Sequence, residues 1–132
     1  MSLSDDERKI IVRLEIEKAY DRLKAAQVLR DAELWSNAAN RLYYALFHSV
    51  CALLIHDGYQ VSTHRGSRVL LGQYYIKTGK LPREFGTLYN QMETIRENGD
   101  YNYSYETSPE ELEERMPAAK TMIDTIAAMV EK

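Results

Sequence analysis

The stretch AANRLYYALFHSVCALLIH, Ala38 to His56, constrains this chain more than any other. A helix drawn over about Trp35 to Asp57, stopping at Gly58, is apolar on nearly every side, and such a helix has to be enclosed by protein. Its neighbours can be read from the same pattern. Between Asp5 and Asp31, Val12, Ile16, Ala19, Leu23 and Ala26 recur at steps of four and three and line one helix face. A third helix is predicted from a Ser62 or Thr63 cap to about Lys77, weakened by Gly66 and Gly72. A fourth runs from about Arg83 to Asn98 with Phe85, Leu88, Met92 and Ile95 inward. The fifth has a Ser108 cap, Pro109 in its first position and Glu111 completing a capping box, and Pro117 inside it predicts a kink. No strand is convincing. The expected fold is all-α, an antiparallel up-and-down bundle of about five helices in one domain over residues 1–132.

Composition narrows the function classes. No uninterrupted apolar run approaches the roughly 18 residues that span a bilayer, and the polar start MSLSDDERK is no signal peptide. The single cysteine, Cys51, lies among apolar residues and reads as core filler. A cytoplasmic protein with no metal, no cofactor and no membrane partner is expected. The net charge of −3 is unevenly spread: residues 34–83 carry six basic side chains and one acid, Asp57. Gly58 to Arg83 holds no acid at all, and it contains Tyr59, Tyr74 and Tyr75, which could stack on bases. This local charge suits an RNA cleft, or equally a solvated basic helix face.

The exceptions inside the apolar helix are ordered. At about 100° per residue, Asn37, Arg41, Tyr44 and His48 share a stripe roughly 60° wide. A buried Arg41 without a partner would cost several kcal/mol, so an internal carboxylate or an external anion must meet it. The second unusual run is RENGDYNYSYE, Arg96 to Glu106. Asn98-Gly99 favours a turn, after which Tyr101, Tyr103 and Tyr105 alternate as in an extended segment. Asp100 is then a reasonable internal partner for Arg41. A tyrosine-rich loop held down by one buried ion pair would account for these residues without any ligand.

AANRLYYALFH on the second helix, STHRG leading into the third and R…DY after the fourth together resemble the HEPN domains (higher eukaryotes and prokaryotes nucleotide-binding). The branch resembled is the small stand-alone kind often encoded beside a minimal nucleotidyltransferase. The resemblance implies an all-α bundle that forms a homodimer with a polar cleft near its axis. It also implies metal-independent endoribonuclease activity in toxin or defence modules. The family's signature is Arg, four to six residues, then His, with a modifiable Tyr two places beyond. Arg96 fits the Arg, with polar Glu97 after it, but Tyr101, Asn102 and Tyr103 stand where the His would fall. Tyr103 stands where the modifiable Tyr would be. Arg41 and His48 match the spacing literally, on a different helix and with Leu42 after the Arg.

RNA cleavage by a neighbouring 2′-hydroxyl needs a base and a cation on the phosphorane. Imidazole and guanidinium suit these roles. The candidates are Arg96, His48 and Tyr101 for chemistry, with Arg41, Tyr44, His64, Arg65, Arg68 and Asp100 for RNA or nucleotide binding. His64 opens the third helix, where the dipole favours a neutral ring. His56, near the end of the second helix, reads as a surface residue. The alternative is a non-catalytic dimerisation or partner-binding module whose polar stripe is structural.

Overall fold

The computed structural model describes residues 3–102 and 104–131. They form α1 (Asp5–Asp31), α2 (Trp35–His56), α3 (His64–Leu71), a π-helical turn (Gly72–Ile76), α4 (Arg83–Tyr101) and α5 (Pro109–Val130), with no strand among them. Two helices start on complete capping boxes. Ser4 and Glu7 bond reciprocally at 2.9 and 3.1 Å, and Ser108 and Glu111 at 2.9 and 3.2 Å. Each box satisfies backbone donors that a helix start otherwise leaves open. The Ser108 box is the one read from the sequence. α5 continues through Pro117 to Val130.

α2 is the axis of the bundle and touches α1, α3, α4 and α5. Ala38, Leu42, Tyr43, Ala45, Leu46, Val50, Ala52 and Leu54 on it are all fully buried. α1 folds back along α2 as an antiparallel hairpin after a three-residue connection, 32–34, in which Glu33 takes φ 60°. Ala19 and Ala26 of α1 are fully buried in that seam, and their small side chains let the two backbones approach closely. By length and composition α2 could cross a membrane, but here it is a core helix with its apolar surface covered by the other helices. Cys51 is buried as expected, and burial pushes its thiol up to about 12, too high for a thiolate at neutral pH.

Two elements differ from the sequence reading. The third helix does not run unbroken to Lys77. After Leu71 its hydrogen bonds widen to the π pattern, Lys77 N–H reaching Gly72 O at 2.9 Å, which brings Tyr75 into the core. The Tyr75 hydroxyl donates to Asp57 at the end of α2. The fourth helix does not turn at Asn98-Gly99. It runs on to Tyr101, and Asn102 N–H still bonds Asn98 O at 2.9 Å. Tyr101, expected to open an extended segment with Tyr103 and Tyr105, is therefore the last residue of α4.

Candidate functional site

That extra turn of α4 rearranges the charges. Continuing the helix puts Asp100 one turn beyond Arg96, where the carboxylate meets the guanidinium at 3.4 Å. Asp100 also accepts a hydrogen bond from Asn40 of α2 at 3.4 Å. Its expected pairing with Arg41 is not made. Nor is Arg41 buried: it is solvent-exposed on α2, because the outer side of the polar stripe turns away from the core. The buried guanidinium is Arg96, 8% exposed.

Arg96 sits over two aromatic rings. Its guanidinium carbon sits 5.1 Å from the Tyr43 ring centre and 5.9 Å from that of Tyr44, distances at which ring faces attract a cation. Burial works against its charge, but Tyr44, Tyr43 and Asp100 more than offset it, with Tyr101 adding to the effect, and its pKa moves up. Arg96 Nε has no hydrogen-bond partner among the described residues. A permanent cation is thus held in place with part of its donor capacity unused.

A cavity of about 420 Å³ opens between α2 and the end of α4. Leu29, Ser36, Asn37, Asn40, Arg41, Arg96, Gly99 and Asp100 wall it. Guanidinium groups from two helices thus border one hollow. A glycine in a helix interior costs about 1 kcal/mol against alanine, and a Cβ on Gly99 would meet nothing within 4 Å. The glycine leaves the hollow open without serving any packing need.

The two imidazoles fall differently. His64 begins α3, and its Nδ1 and the Tyr43 hydroxyl share a hydrogen bond of 2.9 Å. Its ring is 5.6 Å from both Tyr43 and Tyr44, and so one ring removed from Arg96. Burial, then the Arg96 charge, holds the His64 pKa below the ordinary value and favours the neutral ring. His48 turns to α1 instead, with Nδ1 2.7 Å from Glu15 Oε2. Arg68 pairs with buried Glu93 of α4 at 3.0 Å, and Arg65 is exposed. Tyr101 is 77% exposed. Tyr103 lies outside the described residues.

Tyr43, Phe47 and Asn40 were not singled out in the sequence, although all three face this region. With Tyr44 they stand at steps of three and four along α2, and their spacing would have shown a second, aromatic stripe beside the polar one. No group of three or more His, Cys, Asp or Glu side chains among the described residues could hold a metal ion.

The fold and hollow define an all-helical domain with a cationic cleft beside its central helix. The HEPN domain profile matches residues 12–129. The chain belongs to the HEPN domain family. It is 33% identical over 126 residues to a "UPF0332 protein" of Thermotoga maritima, covering 96% of both chains. It is 32% identical over 124 residues to a Methanocaldococcus jannaschii protein named "Putative toxin", covering 94% of this chain and 91% of that one. A second M. jannaschii protein with the same designation is 33% identical over 98 residues, covering 74% of this chain and 67% of the other.

Proposed function

We propose that this domain is the RNA-engaging component of a toxin-like module and grips the phosphate backbone of single-stranded RNA in the hollow between α2 and α4. One observation carries the reading: Arg41 and Arg96, from different helices, wall the same cavity. Arg41 is the exposed contact that meets the phosphate. Arg96, fixed on two tyrosine rings, sets the potential behind it. The toxin designation of two relatives supports the module assignment. In this reading the working unit is a cytoplasmic homodimer, partnered by a minimal nucleotidyltransferase.

Metal-independent cleavage, where it occurs, draws its base from His64. That ring is held neutral and lies one tyrosine ring from Arg96, with its Nδ1 on the Tyr43 hydroxyl, while His48 turns away to Glu15 on α1. The test is binding of labelled single-stranded RNA followed over a range of salt concentrations. Affinity should fall as salt rises, and Arg41→Gln should lower the slope of log affinity against log salt by about 1. Unaltered RNA mobility at low salt with correctly folded protein would refute the proposal, as would an unchanged slope for Arg41→Gln.

A further inference from the structure

A second cavity, of about 350 Å³, lies between α3 with its π turn and the N-terminal half of α4. We infer that it is a binding site for a phosphate monoester carrying a flat ring, that is, a mononucleotide, either free or at the end of an RNA strand. Its volume lies within the range of roughly 300–1,000 Å³ typical of small-ligand sites. The cavity shares no wall residue with the Arg41–Arg96 hollow, and the inference stands independently of the function proposed for that hollow.

Charge selects an anion. Arg68 and Arg83 flank the slot, and none of its wall residues is acidic. The buried carboxylate of Glu93 anchors Arg68 at 3.0 Å, while 41% of the Arg68 side chain stays exposed. The anchor takes up part of the Arg68 charge and fixes where the remaining donors point. Arg83 is exposed at the first position of α4, where Pro82 offers no side-chain cap and the helix start adds partial positive charge. A phosphate between the two arginines could be held by paired donors.

Shape selects a ring. The slot's apolar wall is Val69, Leu71 and Ile76, and Val69 is 49% exposed at its edge. Two glycines open it, for different reasons. A Cβ on Gly86 would come within 3.1 Å of Ile76 Cγ1, so close packing of α4 on the π turn accounts for that residue. Gly72 has an ordinary helical conformation, φ −62° and ψ −47°, and a Cβ there would meet nothing within 4 Å. Neither backbone nor packing requires glycine at 72. It carries the usual helix penalty of about 1 kcal/mol, and what it leaves is floor space for a planar group. Asn90, also in the wall, offers donors and an acceptor to a ring edge, and Thr87, whose hydroxyl donates to Arg83 O at 3.4 Å, offers an acceptor.

The test is titration of the isotope-labelled full chain with adenosine 5′-monophosphate, adenosine and inorganic phosphate, followed by amide chemical shifts. The monophosphate should shift the amides of Gly72, Gly86 and Asn90 saturably, and more tightly than either half-molecule. Gly72→Leu should remove these shifts while the melting temperature holds or rises, because the position is already helical with room for a side chain. Arg83→Gln, at an exposed site, should weaken binding about tenfold and serves as the test even if the leucine variant misfolds. The same titration in Arg41→Gln should be unchanged, which separates this site from the hollow. A short RNA with a terminal phosphate that binds more tightly than the mononucleotide would identify a strand end as the ligand, and equal binding would identify the free nucleotide. No saturable shifts, or shifts that survive both slot variants, would overturn the inference.

Discussion

α2 makes a polar contact with α1 on one side and with α4 on the other, and the two are built on opposite plans. Toward α1, His48 meets Glu15 at 2.7 Å, each side chain is 17% exposed, and Lys18 lies 3.6 Å from the second carboxylate oxygen. Each oxygen of Glu15 has its own partner. Toward α4, Arg96 is more deeply buried but less completely paired. Its carboxylates are the exposed Asp100 and Glu97 at 3.4 and 3.9 Å, and its Nε has none. A closed pair spends its interaction capacity on itself, whereas Arg96 keeps its buried Nε unpaired and leans on two more exposed carboxylates. On this comparison the α1 contact holds the fold, and the α4 contact is the one on which the proposed RNA site depends.

The comparison can be broken most forcefully at Arg96. Arg96→Ala removes the side chain that covers Tyr43 and Tyr44 and should cost about 2–3 kcal/mol in chemical denaturation. Arg96→Met keeps most of the volume without the charge, and replacing a buried cation with a well-packed apolar group is often close to neutral, within about 1 kcal/mol. The methionine variant should therefore fold and lose RNA affinity. If it folds and binds RNA like the wild type, Arg96 is a packing element and the α4 contact is no more open than the α1 contact.

A smaller effect is expected on the α1 side. His48→Ala should cost about 1–2 kcal/mol at neutral pH, with RNA affinity unchanged. The sign of the pH dependence follows from Glu15. Burial pushes its carboxyl up, but the His48 hydrogen bond and charge, with Lys18, outweigh burial and leave it below the usual value. The folded pKa is thus lower than the unfolded one. The stabilisation is present above the ordinary carboxylate range and is lost as pH falls through the folded value. Melting temperatures measured from about pH 7 down to about pH 3 should converge for wild type and variant at the acid end. Parallel curves would show that the pair does not couple Glu15 to the fold.

This asymmetry was only partly legible in the sequence. Apolar spacing identifies α2 as the central helix because a residue's angle about its own axis depends only on chain position. It does not say which neighbour a given angle will face. Arg41, Tyr44 and His48 share a stripe in the sequence, yet one reaches solvent, one lies beneath Arg96 and one bonds α1. The Asn98-Gly99 pair misleads for a related reason. Its local preference for a turn is weak, and ion pairing one turn apart together with a carboxylate contact to Asn40 favours another helical turn. The sequence reading pairs Asp100 with Arg41, and the structure pairs it with Arg96 instead.

The finest test of the comparison is Asp100→Asn, because the two plans predict opposite signs. Asp100 is 38% exposed and shares the hollow with both guanidinium groups. As a partly exposed ion-pair partner it contributes only about 0.5 kcal/mol to stability, and asparagine keeps an oxygen to accept from Asn40. The substitution also removes the one negative charge among the described residues that wall the hollow. If phosphate binds there, RNA affinity should rise severalfold at low salt even as stability falls slightly, and the gain should shrink as salt screens it. If Asp100 instead positions Arg96 for a closed structural contact, loosening the pair should leave RNA affinity flat or lower it. Fluorescence anisotropy at two salt concentrations, read beside denaturation curves of the same preparations, gives that sign directly.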